Sequence, residues 1–360
     1  MQLLSGRRLI VIGHLNFTIS QWGVVLFCNK KNPVFMRVLA FRKRLNPIYQ
    51  ERSIMVLIKI FPVILMVLIG FFCRKTEMIT TEGMEGLKTL ATSLMLPVLL
   101  FHTLATTEYT SATVAVIGIM LLALSAAFII GMLIKRTVPS AGIFFPFLVT
   151  SFEGGMLGYP LYAVLCGEAR LSNIATLDIA NTIFVFTVFL AFLTAAVNGK
   201  VQPSEMISNV LHSPVFWGVF LGIAVGVTGA AGSFLNTMAG ALYMSAKDMI
   251  TSALSAVILV VVGYGLSFDR AVLKKCGKAV AGRMIIQGAI LAVIMILLKD
   301  MFAAAEMKTA LILYLFLPPT FVIPAYAKTE EDGIYLSTAI SLYSVFTIAI
   351  FILLTITMKV

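Results

Sequence analysis

The sequence predicts an all-α polytopic membrane protein: ten transmembrane helices arranged as a 5+5 inverted repeat, with two broken crossover helices. Three observations carry that expectation. The chain is 60% hydrophobic and 12% charged, with a mean hydropathy of +1.01, whereas a soluble domain carries about twice that charge. From Ile54 onward ten apolar segments follow one another, most of them close to the ~20 residues that cross a bilayer core. The fourth and ninth segments are interrupted by glycine and proline at corresponding places in the two halves.

Residues 1–53 do not conform. They hold nine Lys/Arg, from Arg7 and Arg8 to Arg52, around an apolar run from Leu9 to Cys28 that contains His14, Asn16 and Gln21. That run is at best a marginal span, and without a small-residue cleavage site it makes a poor signal peptide. The expectation is that residues 1–53 form an extension foreign to the core that opens near Met55.

The first half, residues 54–199, contains segments at 54–72, 87–104, 112–134, 141–166 and 174–197. The second half, residues 205–360, contains segments at 210–227, 250–268, 279–298, 309–327 and 334–358, with amphipathic residues 234–249 leading into its second span. Residues 200–204 (Lys-Val-Gln-Pro-Ser) separate the halves. Five spans is an odd number, so the halves insert with opposite topology, which is the plan of many secondary transporters. Leaving Lys59 aside, one set of loops in the core carries twelve Lys/Arg, including Lys88, Lys135, Arg136, Lys200 and Arg283, and the other carries five. The richer side is expected in the cytoplasm, which puts both ends of the ten-helix core outside the cell, in a plasma membrane.

The fourth segment carries Ser151-Phe152-Glu153-Gly154-Gly155-Met156-Leu157-Gly158-Tyr159-Pro160. Relative to Ala, Gly costs about 1 kcal/mol and Pro about 3 kcal/mol inside a helix. A charge at the bilayer centre costs about 3 kcal/mol more. Irregular backbone survives at that depth only where protein buries it or where it lines a cavity. The ninth segment carries Pro318, Pro319 and Pro324 around Thr320, and three prolines within seven residues forbid a plain helix.

These breaks define the candidate site: Glu153, Gly154, Gly155, Gly158, Pro160, Pro318, Pro319, Thr320 and Pro324. Glu153 has three readings: a proton carrier, since desolvation raises a carboxylate's pKa; a ligand for Na⁺ or another cationic group; or a structural acceptor for backbone donors freed by the glycines. Intramembrane acids favour the functional readings. Pro160 suits the first position of the second half-helix, whose N-terminus would face a bound anion. Asp178 and Asn181, three apart on one helix face, either support the crossover or a coupling ion, or leave Asp178 solvated. Lys59 is expected to snorkel from the first span.

Other classes find little support. The chain has no GxxxxGK[ST], no Gly-x-Ser-x-Gly and no HExxH, and its four cysteines and three histidines form no metal-ligand spacing. An enzyme is not expected, nor a cofactor or metal. The basic balance reflects loop charge rather than nucleic acid. Val262-Gly263-Tyr264-Gly265 is similar to part of a potassium-channel filter, but it ends a continuous apolar segment, where small residues serve helix packing.

Several short motifs, in order, resemble the auxin efflux carrier family of transporters in its bacterial organic-acid branch. They are the opening helix at Pro62-Val63-Ile64-Leu65, then Leu96-Pro97-Val98-Leu99-Leu100-Phe101, Gly158-Tyr159-Pro160-Leu161, Asp178-Ile179-Ala180-Asn181, and Leu336-Ser337-Thr338 with Ser341. The resemblance implies a ten-helix inverted repeat, a scaffold domain, a transport domain with crossed broken helices, and small organic anions as cargo. Many members have Asn-Thr-Gly where this chain has Glu153-Gly154-Gly155. The expected function is secondary active transport of a small organic solute, a carboxylate first, by alternating access, with H⁺ (or Na⁺) as coupling ion. An uncoupled facilitator and an ion channel are the alternatives. The expected partners are the solute and the lipid bilayer, and a homodimer fits a carrier with a separate scaffold.

Overall fold

The computed structural model describes residues 8–12, 15–19, 25–28, 47–199, 207–208 and 210–357, with side chains from residue 56 onward. The chain divides into two units, residues 1–55 and 56–360. In the first, β1 (Arg8–Ile12), β2 (Leu15–Ile19) and β3 (Val25–Cys28) form an antiparallel sheet, with Leu9 opposite Thr18 and Phe17 opposite Phe27. The described parts of the run expected at best as a marginal span are therefore extended, as suits β-branched residues. Most of the basic residues of this stretch, and the midpoint at 200–204, lie outside the described residues.

Every described element of the second unit is helical. In order they are α1 (Val56–Lys75), α2 (Thr81–Ala105), α3 (Ser111–Ile134), α4 (Pro139–Thr150), α5 (Gly154–Cys166), α6 (Glu168–Asn198), α7 (Pro214–Thr228), α8 (Ala230–Leu235), α9 (Met238–Gly265), α10 (Arg270–Leu297), α11 (Ala305–Leu315) and α12 (Glu330–Thr357), with a 3₁₀ turn at Ile323–Tyr326 before the last. Among the described residues seven helices are long and apolar enough to cross a membrane: α1, α2, α3, α6, α9, α10 and α12. The pair α4 and α5, bent by 61°, makes an eighth.

Polar residues at the segment edges start these helices. Thr110 and Thr113 form a reciprocal capping box on α3. Asp269 accepts from the backbone N–H groups of Ala271 and Val272 at the start of α10. Ser213, followed by Pro214, caps α7. That proline-limited start leaves α7 at 15 residues, shorter than the expected segment. Conversely, α9 begins at Met238, well before the expected start at 250. Lys247 and Asp248 lower the local hydropathy there, but they pair at 2.5 Å and the helix runs on.

The outward faces are apolar. On α1, Leu57, Ile58 and Phe61 are 63%, 65% and 58% exposed, which suits contact with lipid tails rather than water. Inward, glycines let backbones touch. A Cβ on Gly263 would overlap the Val67 backbone, and one on Gly70 that of Val260, so α1 and α9 pack through these two positions. Gly218, Gly222 and Gly226 bring α7 against Pro97, Phe101 and Leu104 of α2 in the same way. Val262–Gly265 therefore belongs to a packed helix and not to a filter whose carbonyls face a pore.

Candidate functional site

The first break is built as its residues dictate. Helix α4 ends at Thr150, Ser151 is extended (φ −74°, ψ 165°), and α5 starts at Gly154. Glu153 caps α5, its Oε1 accepting from the Met156 N–H at 3.3 Å. A π turn at Gly154–Gly158 follows, in which the Gly158 N–H reaches the Glu153 carbonyl at 3.2 Å. Pro160 thus sits inside α5, near the start of its regular turns, and Glu153 rather than a free helix end stands at the N-terminus. Pro160, expected to open the half-helix, stands in the first two positions of the regular α-helical turns, and ahead of them comes the π turn capped by Glu153. Because Gly154 and Gly155 follow it, the helix can begin a turn earlier than proline alone would allow.

In the second break α11 stops at Leu315. Pro318 and Pro319 are buried in non-helical backbone, and Pro324 lies in the first residues of the Ile323–Tyr326 turn. Three missing donors leave only this short turn where a second half-helix would lie.

The two breaks touch. The Glu153 N–H donates to the Pro318 carbonyl at 2.9 Å, and the Thr320 N–H donates to Ser151 Oγ at 3.3 Å. Two residues back along one break is two residues forward along the other, so the segments cross antiparallel. The Phe321 N–H donates to Glu153 Oε2 at 2.7 Å. Glu153 therefore ties its own helix to the opposite break.

Side chains from neighbouring helices satisfy more of the irregular backbone, as apolar surroundings require. Asn181 of α6 accepts from the Phe152 N–H at 3.1 Å and donates to the Phe152 carbonyl at 3.0 Å. Arg283 of α10 is 2% exposed and donates to the carbonyls of Leu148 (2.9 Å), Ser151 (2.7 Å) and Leu317 (2.8 Å). One turn on, the Gln287 Nε2 donates to the Val149 carbonyl at 2.7 Å. Leaving one such buried carbonyl unpaired costs about 1–3 kcal/mol, so these two residues hold α4 to its break. Arg283, expected in a cytoplasmic loop, is in fact within the span. Its flanking residues Ala281, Gly282 and Met284 give no sign of a loop, but neighbouring lysines place it in a basic run.

Asp178 is buried, not solvated. Its carboxylate accepts from the hydroxyls of Tyr314 (2.6 Å) on α11 and Tyr159 (3.3 Å) on α5, and from the Asn181 amide (3.3 Å). It links both broken helices to α6. Glycine is required beside it: a Cβ on Gly154 would overlap the Asp178 carboxylate, and one on Gly158 would press on Leu317 of the other break. A Cβ on Gly155 would meet Leu96 of α2 at 2.8 Å. Lys59, expected to snorkel, donates instead to the Leu165 carbonyl at the end of α5 (2.8 Å).

A cavity of about 220 Å³ adjoins the crossing. Met156, Phe321 and Pro324 line it on the crossover side, Thr81 and Lys88 of α2 and Tyr264 of α9 on another, and Ser337, Ser341 and Ser344 of α12 on a third. Lys88 pairs with Glu85 at 2.9 Å. Glu85 lines the cavity too, so hydroxyls, one ion pair and apolar walls suit a small polar solute better than an apolar one.

Of the expected residues, Glu153, Pro318 and Thr320 meet at the crossing, Gly154 and Gly158 permit it, and Pro324 reaches the cavity. Asp178 and Asn181 brace it from α6. Arg283, Gln287, Tyr159 and Tyr314 were not among the expected site residues. An arginine inside an apolar segment was the available signal for the first, whereas the tyrosines are indistinguishable in sequence from ordinary core. A family model described as membrane transport protein matches residues 55–358. No curated protein matches the chain.

Proposed function

The chain belongs to the auxin efflux carrier family of membrane transport proteins, and from that premise we propose that it is a secondary active transporter of a small organic anion, a carboxylate, working by alternating access. The observation that carries this reading is the antiparallel crossing of two helix breaks beside a polar cavity. Binding sites of inverted-repeat transporters lie at such interruptions.

In this reading there are ten passes: α1, α2, α3, the α4–α5 pair, α6, α7, α9, α10, α11 with its break, and α12. Five precede residues 200–204 and five follow. Helices α1, α2, α7 and α9, locked by glycine contacts, serve as scaffold, and the crossed breaks with α3, α6, α10 and α12 move against them. With Arg283 and Lys247, both buried within helices, removed from the loop count, eleven basic residues oppose four. The side carrying Lys88 is then cytoplasmic, the cavity faces inward, and both ends of the core face out of the cell.

Glu153 couples the cargo to a proton, the ion this reading favours over Na⁺. Its carboxylate lies between Met156 and Phe321, both of which line the cavity. An anion beside it is repelled unless the carboxylate carries a proton, so solute and proton load together. The bacterial organic-acid branch of the family is the one whose cargo this chemistry fits.

The test is a thermal-shift screen of purified protein against mono- and dicarboxylates, amino acids and neutral analogues across pH, followed by uptake in proteoliposomes. Saturable, proton-gradient-driven uptake of a stabilising carboxylate is expected. If no carboxylate stabilises the protein at any pH, the anion assignment fails, and single-channel currents would replace the carrier by a pore.

A further inference from the structure

The cation at the crossing is part of the chain. Helix C-termini carry unpaired carbonyls and a partial negative charge, and in transporters with broken helices such carbonyls are where Na⁺ is coordinated. Here the carbonyls of Leu148 and Ser151, at the end of α4, and of Leu317, just past α11, converge on one guanidinium at 2.7–2.9 Å. It also lies over two aromatic rings: the ring centroids of Phe152 and Tyr343 are 5.0 and 5.4 Å from the guanidinium carbon.

We propose that Arg283 is a tethered substitute for a coupling cation: its guanidinium occupies the point where the carbonyls of both breaks converge, so the crossover closes without an alkali ion. This rests on reading the two breaks as the crossover of a transporter. An arginine stays charged in proteins and presents its donors as a rigid fork, so it can hold carbonyls from two segments at once. Being covalently part of α10, it cannot leave at either face of the membrane. Two consequences follow. A sodium gradient cannot be coupled through these carbonyls, which leaves the Glu153 proton as the ion that moves. Helix α10 must also travel with both breaks as one body, because releasing Arg283 would uncover three buried carbonyls.

The test uses thermal unfolding of the purified full-length protein and needs no substrate, so its outcome is independent of the transport assay. Wild type is expected to melt at the same temperature in sodium chloride and in choline chloride. Arg283→Ala is expected to melt lower, with most of the loss restored by ethylguanidinium and not by ethylurea, a neutral molecule of the same shape. If Arg283→Ala does not fold, Arg283→Lys, which keeps the charge, is expected to fold with a smaller loss and the same indifference to sodium. Saturable stabilisation of wild type or of Arg283→Lys by sodium over choline overturns the proposal. So does equal rescue of Arg283→Ala by ethylurea, which would make the residue a space-filler.

Discussion

The Glu153 backbone N–H donates to the Pro318 carbonyl at 2.9 Å, joining residues 165 positions apart at the one place where both polypeptide segments leave the helix. Neither residue could make this bond from a regular helix, where the N–H and the carbonyl are used within the turn. The carboxylate of the same residue then accepts from Met156 and Phe321. Glu153→Gln keeps the size but replaces one acceptor oxygen by a donor, which leaves one of the two N–H groups unpaired at a cost of about 1–3 kcal/mol. Chemical denaturation should show that loss. Proteoliposome uptake by the same variant should lose its dependence on external pH, and retained dependence would remove Glu153 from the coupling role.

The glycines beside the crossing should differ sharply in tolerance. Gly154→Ala drives a methyl into the Asp178 carboxylate, which three hydrogen bonds hold in place. Overpacking of this kind costs about 1–3 kcal/mol. Gly158→Ala presses on the ends of the Leu317 and Ile174 side chains, which can shift, and should cost less. Gly288→Ala on α10, where a Cβ meets nothing within 4 Å, should leave the melting temperature unchanged or raised.

Asp178 and Tyr314 should be energetically coupled. Their 2.6 Å contact is a hydroxyl donating to a carboxylate in an apolar setting. In a double-mutant cycle, Asp178→Asn and Tyr314→Phe together should cost less than the sum of the two alone, by about 0.5–3 kcal/mol. Additive losses would mean that the bond contributes nothing beyond packing.

Much of this was legible because it violates local rules. Glu153-Gly154-Gly155 and Pro318-Pro319 are poor helix, so their presence in apolar segments is enough to announce two breaks. Their meeting was legible only as far as the paired positions in two halves suggested it. The antiparallel register was not, because it depends on which carbonyl Glu153 faces across 165 residues. Arg283 shows the opposite failure. Close to Lys274, Lys275 and Lys278 on one helix, it reads as loop charge despite its apolar neighbours, and the carbonyls of Leu148, Ser151 and Leu317 show what it is buried against. Ser213-Pro214 set a start for α7 that hydropathy alone placed earlier, whereas Lys247-Asp248 hid the first turns of α9, since an adjacent ion pair lowers hydropathy without ending a helix.

The cavity gives the sharpest test of access. Ser337 and Ser344 of α12 line it together with Lys88, on the side assigned to the cytoplasm by loop charge. In a background with the native cysteines replaced by serine, Ser337→Cys should react with a membrane-impermeant methanethiosulfonate in inside-out vesicles and not in right-side-out cells. Glu306, half-exposed beside Arg170 at 3.5 Å, is assigned to the opposite side by the same loop charge, so Glu306→Cys should show the reverse pattern. A carboxylate that stabilises the protein should slow the labelling of Ser337→Cys severalfold and leave that of Glu306→Cys unaffected. If both cysteines react from the same side, the crossing of α11 and the orientation built on Lys88 are wrong. If the solute protects neither, it binds elsewhere than between α2, α12 and the crossing.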